Sequence, residues 1–264
     1  FVRRAAGTSN DVQVVATNID TVFICMSLTR DFNPRRLERY LAIAWASGAT
    51  PVVVLTKSDL CDDVDSMLAR ISDVAVGVDI IVTSSVTEAG CDSIPKYVGN
   101  GRTAAFIGSS GVGKSTLINR LLGGDFLVTD EVRKDGKGRH CTTRRDLIAV
   151  PTGGAVIDTP GMRELGVETV DLTRTFDDID RLAEGCRFSD CHHGTEPGCL
   201  VREAIASGEL SEERLASYLK LKKEARYDGL NSRQIEREKM TEMYADFDGV
   251  KNAREYGKSK NRRR

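Results

Sequence analysis

Residues 21–26 (TVFICM) are an unbroken apolar run of the length and composition expected for a strand buried on both faces. The next segment, DFNPRRLERYLAIAWASG, changes period: Leu37, Tyr40, Leu41, Ala44 and Trp45 share one helical face. Asn33 is placed to cap that helix, Pro34 suits its first position and Gly48 ends it. PVVVL then supplies a second strand. The alternation continues with a helix over 64–75, strands over 79–83 and 103–107, a helix over 114–122 closed by Gly123-Gly124, and strands near 147–150 and 155–158. This rhythm predicts an α/β fold, a mostly parallel sheet with helices on both faces.

After about residue 167 the apolar strand runs stop. A Cys/His cluster and charged helical stretches such as SEERLASYLKLKKEARY follow. The expected organisation is a junction over 1–12, an α/β domain over 13–167, and a small helix-rich domain with a basic tail over 168–264. The chain starts at Phe1 rather than Met, so further residues are expected ahead of it.

With 264 residues, 40% of them hydrophobic, the chain can bury a substantial core. A formal net charge of −1 makes no whole-chain case for nucleic acid. The stretch 251–264, however, carries seven Lys or Arg against one Glu, a local basic footprint. Seven cysteines, an odd number unevenly spread, argue against a disulfide scaffold and for a reducing, cytoplasmic setting. No run is long and apolar enough to span a bilayer, so no membrane partner is expected.

The chemistry begins with GSSGVGKS, which matches the G-x-x-x-x-G-K-[ST] phosphate loop and lies in the required context, between an apolar strand and a helix. The backbone N–H groups of Gly108, Ser109, Ser110, Gly111, Val112 and Gly113 can converge on phosphate oxygens, with Lys114, Ser115 and Thr116 opening the helix. Lys114 is suited to the β/γ-phosphates and Ser115 to Mg²⁺. In GAVIDTPG, Asp158 ends a strand and can hold the same metal, and the N–H of Gly161 can meet a γ-phosphate. Thr142 or Thr143 can bring a hydroxyl to Mg²⁺, with Thr143 slightly favoured.

Upstream, Thr56-Lys57-Ser58-Asp59 follows an apolar strand, at the carboxyl end of the sheet where such folds take ligands. Asp59 can accept from guanine N1–H and N2–H₂. Adenine would leave that carboxylate unpaired. Lys57 can lie across the base, Thr56 can tie this turn to the phosphate loop, and Ser84 and Ser85 can offer N–H groups to guanine O6. The expected ligands are GTP and GDP with Mg²⁺. Compared with an ordinary guanine-nucleotide domain the order is reversed, the base reader preceding the phosphate loop.

Cys186-x₄-Cys191-x-His193-x₅-Cys199 offers three thiolates and an imidazole for a closed, structural Zn²⁺ site, with His192 the alternative imidazole.

TKSD, SSV, GSSGVGKS, RHCTT and DTPG in this rotated order, together with NPRRLERYL and CRFSDCHHGTEPGC, closely resemble the RsgA (YjeQ) family of circularly permuted GTPases of small ribosomal subunit biogenesis. The resemblance favours His193 as the zinc ligand. It implies a monomeric GTP hydrolase that times a maturation step on the small subunit and its rRNA, slow alone and stimulated by the subunit. It also implies an oligonucleotide/oligosaccharide-binding barrel ahead of the chain. Met162 stands after DTPG, where many GTPases place a water-orienting Gln, so His140 is the candidate for positioning water. The family's run of threonines after that histidine reads Cys141-Thr142-Thr143 here.

Overall fold

The computed structural model describes residues 2–4, 12–14, 16–99, 101–127, 146–158, 171–227, 230 and 232–243. His140, Thr142, Thr143, Gly161, Met162 and the basic tail lie outside the described residues.

Two short strands, β1 (Val2–Arg4) and β2 (Val12–Val14), pair antiparallel, the second crossing the boundary expected between the junction over 1–12 and the α/β domain. The main sheet follows. Its strands are β3 (Thr21–Ser27), β4 (Thr50–Thr56), β5 (Asp79–Val82), β6 (Thr103–Gly108), β7 (Asp146–Ala149) and β8 (Ala155–Asp158), in the spatial order β5-β4-β3-β6-β8-β7. All neighbours are parallel except β7 and β8. The sheet is mostly parallel, as expected, with one antiparallel strand at its edge. Val150, Thr152, Gly153 and Gly154 turn the chain straight back, the two glycines at φ 92° and 90°, which side chains resist.

The period-2 alternation of β3 feeds two cores. Val22, Ile24 and Met26 face α1 (Pro34–Ala46) and α2 (Val64–Ser72), whereas Phe23 and Cys25 face α3 (Lys114–Leu122) and a 3₁₀ turn over Cys91–Tyr97. In α1, the Asn33 side chain accepts from the Arg36 N–H at 3.1 Å, Pro34 opens the helix, and Leu37, Tyr40, Leu41 and Ala44 are buried. Each of the larger three contributes roughly 1.5–3 kcal/mol of apolar transfer. The helix expected over 64–75 ends at Ser72, because Asp73–Ala75 wind into a turn that buries Val74 and Ala75.

A third core is built from α4 (Leu172–Thr175), α5 (Asp177–Glu184), α6 (Leu200–Ser207) and α7 (Glu212–Arg226), around Phe176, Ile179, Val201, Leu215, Tyr218 and Leu221. A further helix, α8, spans Ser232–Met243. The third core docks on α1. Arg214 of α7, 6% exposed, forks onto Asp178 at 2.7 and 2.8 Å and reaches Glu38 of α1 at 3.0 Å. Arg39 pairs with Glu224 at 2.8 Å, and the Arg174 guanidinium lies 5.2 Å over the Trp45 ring.

Candidate nucleotide site and metal centre

Parallel strands have their carboxyl ends on the same side of the sheet whatever their order in the chain. The register places Ser27 beside Thr56, Leu55 beside Val82, Cys25 beside Gly108 and Phe106 beside Asp158. TKSD, SSV, the glycine-rich loop and Asp158 therefore meet at the carboxyl end of the sheet although they are scattered along the sequence. Reversing the order of motifs leaves the arrangement intact.

The loop's geometry follows from its small residues. Gly108 has φ 144°, and a Cβ there would sit 2.3 Å from the Cys25 carbonyl oxygen, so only glycine lets β6 leave the sheet here. Gly111 and Gly113 are also left-handed, at φ 77° and 99°, and Gly113 hands the chain to α3. The Lys114 ammonium turns back over the loop, donating to the carbonyls of Gly108 at 3.0 Å and Ser109 at 2.8 Å. Burial lowers its pKa, opposed by the nearby Cys25, Asp158 and Asp31. Burial also pushes the Cys25 thiol up to about 12, so it is a neutral wall beside the loop.

Thr56 joins the two halves of the site. Its buried hydroxyl donates to the Val112 carbonyl of the phosphate loop at 2.6 Å. Lys57 takes the left-handed conformation, φ 58°, which turns the chain so that Asp59 projects from the following 3₁₀ turn. Ser84, fully buried, donates to Asp59 Oδ1 at 2.5 Å, and its oxygen accepts from the N–H groups of Val86 and Thr87 at 3.2 and 3.1 Å. Asp59 is thus oriented by the SSV turn. The Ser85 carbonyl accepts from Arg120 at 3.5 Å, and Arg120 also pairs with Glu88.

Asp158, 2% exposed, closes β8, and its charge is felt by Lys114. With Ser115 at the start of α3 it offers hard oxygen donors, the chemistry Mg²⁺ requires. The structure also shows a contact that sequence reading missed: Arg36 of α1 donates to Ser109 Oγ at 2.6 Å and to Asp31 at 2.6 Å. Only its place in NPRRLERYL pointed to it.

In the C-terminal core, one ligand atom each from Cys186, Cys191, His193 and Cys199 falls within 4.8 Å of the others. Cys186 and Cys199 sulfurs are 3.9 Å apart, and His193 Nδ1 lies 3.8 and 3.5 Å from them. A tetrahedral Zn²⁺ with ordinary bond lengths calls for about 3.8 Å between sulfurs and about 3.5 Å between sulfur and nitrogen. The residues fit the ion. His193 is buried at φ 59°, its carbonyl accepting from Arg202 at 2.6 Å, and burial lowers its pKa toward the neutral form a metal needs. His192 turns its backbone N–H to Glu196 instead. The described cysteines, Cys25, Cys61 and Cys91 among them, are all free.

Comparison with known proteins decides the family. The family model described as RsgA GTPase matches residues 1–168. The chain belongs to the RsgA GTPase family. A relative from Lactiplantibacillus plantarum, named small ribosomal subunit biogenesis GTPase RsgA 2, is 55% identical over 96% of this chain and 72% of its own length. Relatives from Oceanobacillus iheyensis and Methanosarcina acetivorans are 47% and 44% identical over 86% and 91% of this chain. The chain spans only 66% and 67% of those two RsgA proteins. Among solved structures, YjeQ from Thermotoga maritima superposes with a TM-score of 0.58 at 27% identity, covering 81% of this chain and 77% of its own. YloQ, described as a circularly permuted GTPase, gives 0.56 at 25% identity over 82% and 74%. The circularly permuted GTPase fold and the GTPase class expected from the motifs are therefore those of the RsgA family. Among the described residues, no helix is long and apolar enough to cross a membrane.

Proposed function

We propose that this chain binds and hydrolyses GTP as a nucleotide-timed maturation factor on the small ribosomal subunit. The observation that carries the reading is the Thr56–Val112 bond, which fixes a guanine-type TKSD turn against a phosphate loop at the carboxyl end of the sheet. The relatives' names supply the subunit. Asp59, set by Ser84, selects guanine; Ser84 and Ser85 border the base; Lys57 covers it. The loop from Gly108 to Thr116, with Gly161, receives the phosphates.

Ser115, Asp158 and Thr143 would hold Mg²⁺, which supplies charge neutralisation at the phosphates when bound. Lys114 adds a fixed positive charge in a buried setting where it is weakly screened. His140 orients the attacking water in the subunit-bound state. Cys186, Cys191, His193 and Cys199 would hold Zn²⁺ in a structural site, four protein ligands leaving no place for water. The protein acts as a cytoplasmic monomer, with the basic tail and Lys or Arg of the 222–239 stretch contacting rRNA phosphates.

Met162 favours a second reading, a GTP-binding ribosome adaptor with little hydrolysis. GTP turnover with and without purified small subunits, with ATP as the control nucleotide, separates the two. A GTP-specific rate raised many-fold by subunits supports the timer and predicts that His140→Ala loses stimulation but keeps binding. An unchanged rate supports the adaptor.

A further inference from the structure

The phosphate loop is held from outside as well as from within. Ser109 is 3% exposed; its carbonyl accepts from Lys114, and its hydroxyl bonds Arg36 Nη1 at 2.6 Å. Tyr40, buried one turn further along α1, also hydrogen-bonds Ser109. The same Arg36 nitrogen bonds Asp31 Oδ1 at 2.6 Å. Asp31 lies close enough to the loop for its charge to act on Lys114. Unmasked, that carboxylate would oppose polyphosphate beside the loop that must attract it. The Asp31–Arg36 pair is partly exposed, each side chain at 28%, so its worth for stability is small. Its worth lies in the charge it cancels.

Resting on the guanine-nucleotide reading above, we propose that Arg36 is a positioning residue of the nucleotide site with two separable roles. Its guanidinium fixes Ser109 and so the phosphate loop, and its charge cancels that of Asp31 next to the phosphates. Because GTP carries one more negative charge than GDP, the second role favours GTP. Fixing Ser109 serves both nucleotides alike.

The test is calorimetric titration of the full chain with GDP and with a non-hydrolysable GTP analogue, accompanied by nucleotide-free melting of each variant. Arg36→Ala should weaken the analogue about tenfold or more and GDP by less, since a charged hydrogen bond and a masked charge are both lost. Arg36→Lys keeps the charge and should weaken the two nucleotides nearly equally. Arg36→Gln, which can still bond Ser109, should show the GTP-selective loss and carries the test if the alanine variant does not fold. Adding Asp31→Asn to Arg36→Gln should restore most of the GTP-to-GDP ratio. Wild-type affinities in the alanine and glutamine variants overturn the proposal, as does an equal loss for both nucleotides that Asp31→Asn leaves unrescued. Failure of the wild-type chain to bind either nucleotide would overturn the guanine-nucleotide reading instead.

Discussion

Arg214→Met is the sharpest test of how the C-terminal core is attached. Arg214 Nη1 bonds Glu38 at 3.0 Å, Glu38 has no exposed surface, and its other nearby cation, Arg35 at 2.7 Å, is 36% exposed. Burial works against the Arg214 charge, but its bonds to Asp178 and Glu38 outweigh it and raise its pKa. Burial raises the Glu38 carboxyl, partly offset by Ser217, Arg35 and Arg214. Methionine fills the space without the charge and leaves Glu38 and Asp178 short of a partner. Breaking a buried pair on one side costs about 3–5 kcal/mol, so the variant should lose that much at neutral pH. Urea unfolding followed by tryptophan fluorescence reads it directly, since the single Trp, Trp45, sits under Arg174 at the same interface. The pH dependence has a definite sign. With its folded pKa raised further, Glu38 favours the folded state when protonated, so the variant's deficit should shrink as pH falls toward the unfolded carboxylate value and grow as pH rises. Adding Glu38→Gln should recover much of the loss. A cost under about 1 kcal/mol, the range of an exposed pair, with no dependence on pH, would refute this account.

Thr56→Ala removes the buried bond to Val112 and should cost about 1–3 kcal/mol in unfolding free energy, with weaker nucleotide binding; Thr56→Ser should keep both, as denaturation and titration would show. Asp59→Asn should lower GTP affinity and raise that for xanthosine triphosphate, whose C2 carbonyl suits an amide donor; unchanged preference in a competition assay would remove Asp59 from base recognition. Elemental analysis should find about one zinc per chain, and Cys199→Ser or chelation should lower the protection of α5 and α6 in hydrogen exchange while leaving the central sheet protected.

The strands that were easiest to read, β3, β4 and β6, are those covered on both faces, where the residues between the strand ends are apolar. The boundaries of α1 and α3 were written in local signals: Asn33 and Pro34 at one start, Gly123 at the other end. The direction of β7 was also there to be read, since Gly153-Gly154 between two short apolar runs is a hairpin signal that the parallel rhythm masked. The 3₁₀ turn over Cys91–Tyr97 had no periodicity to announce it. At the site, the motif residues carried their own chemistry, but Arg36 and Glu38 did not. On a helix with a good apolar face, charged residues read as solvated. What pairs with Glu38 from α7 is Arg214, 176 positions away, and what engages Arg36 is Ser109, 73 positions away. Such partners are set by tertiary geometry, which no local window contains.

The docking of the C-terminal core on α1 bears on how this protein can be dissected. A chain cut just before α4 would still contain every described strand and the whole glycine-rich loop, but it would open a carboxylate that has 0% exposure in the intact molecule and strip the cover from Trp45. The face laid bare belongs to the same helix whose Arg36 and Tyr40 touch Ser109. A trimmed nucleotide domain would therefore be a different protein at its phosphate loop, and kinetic constants measured on it would not transfer to the whole.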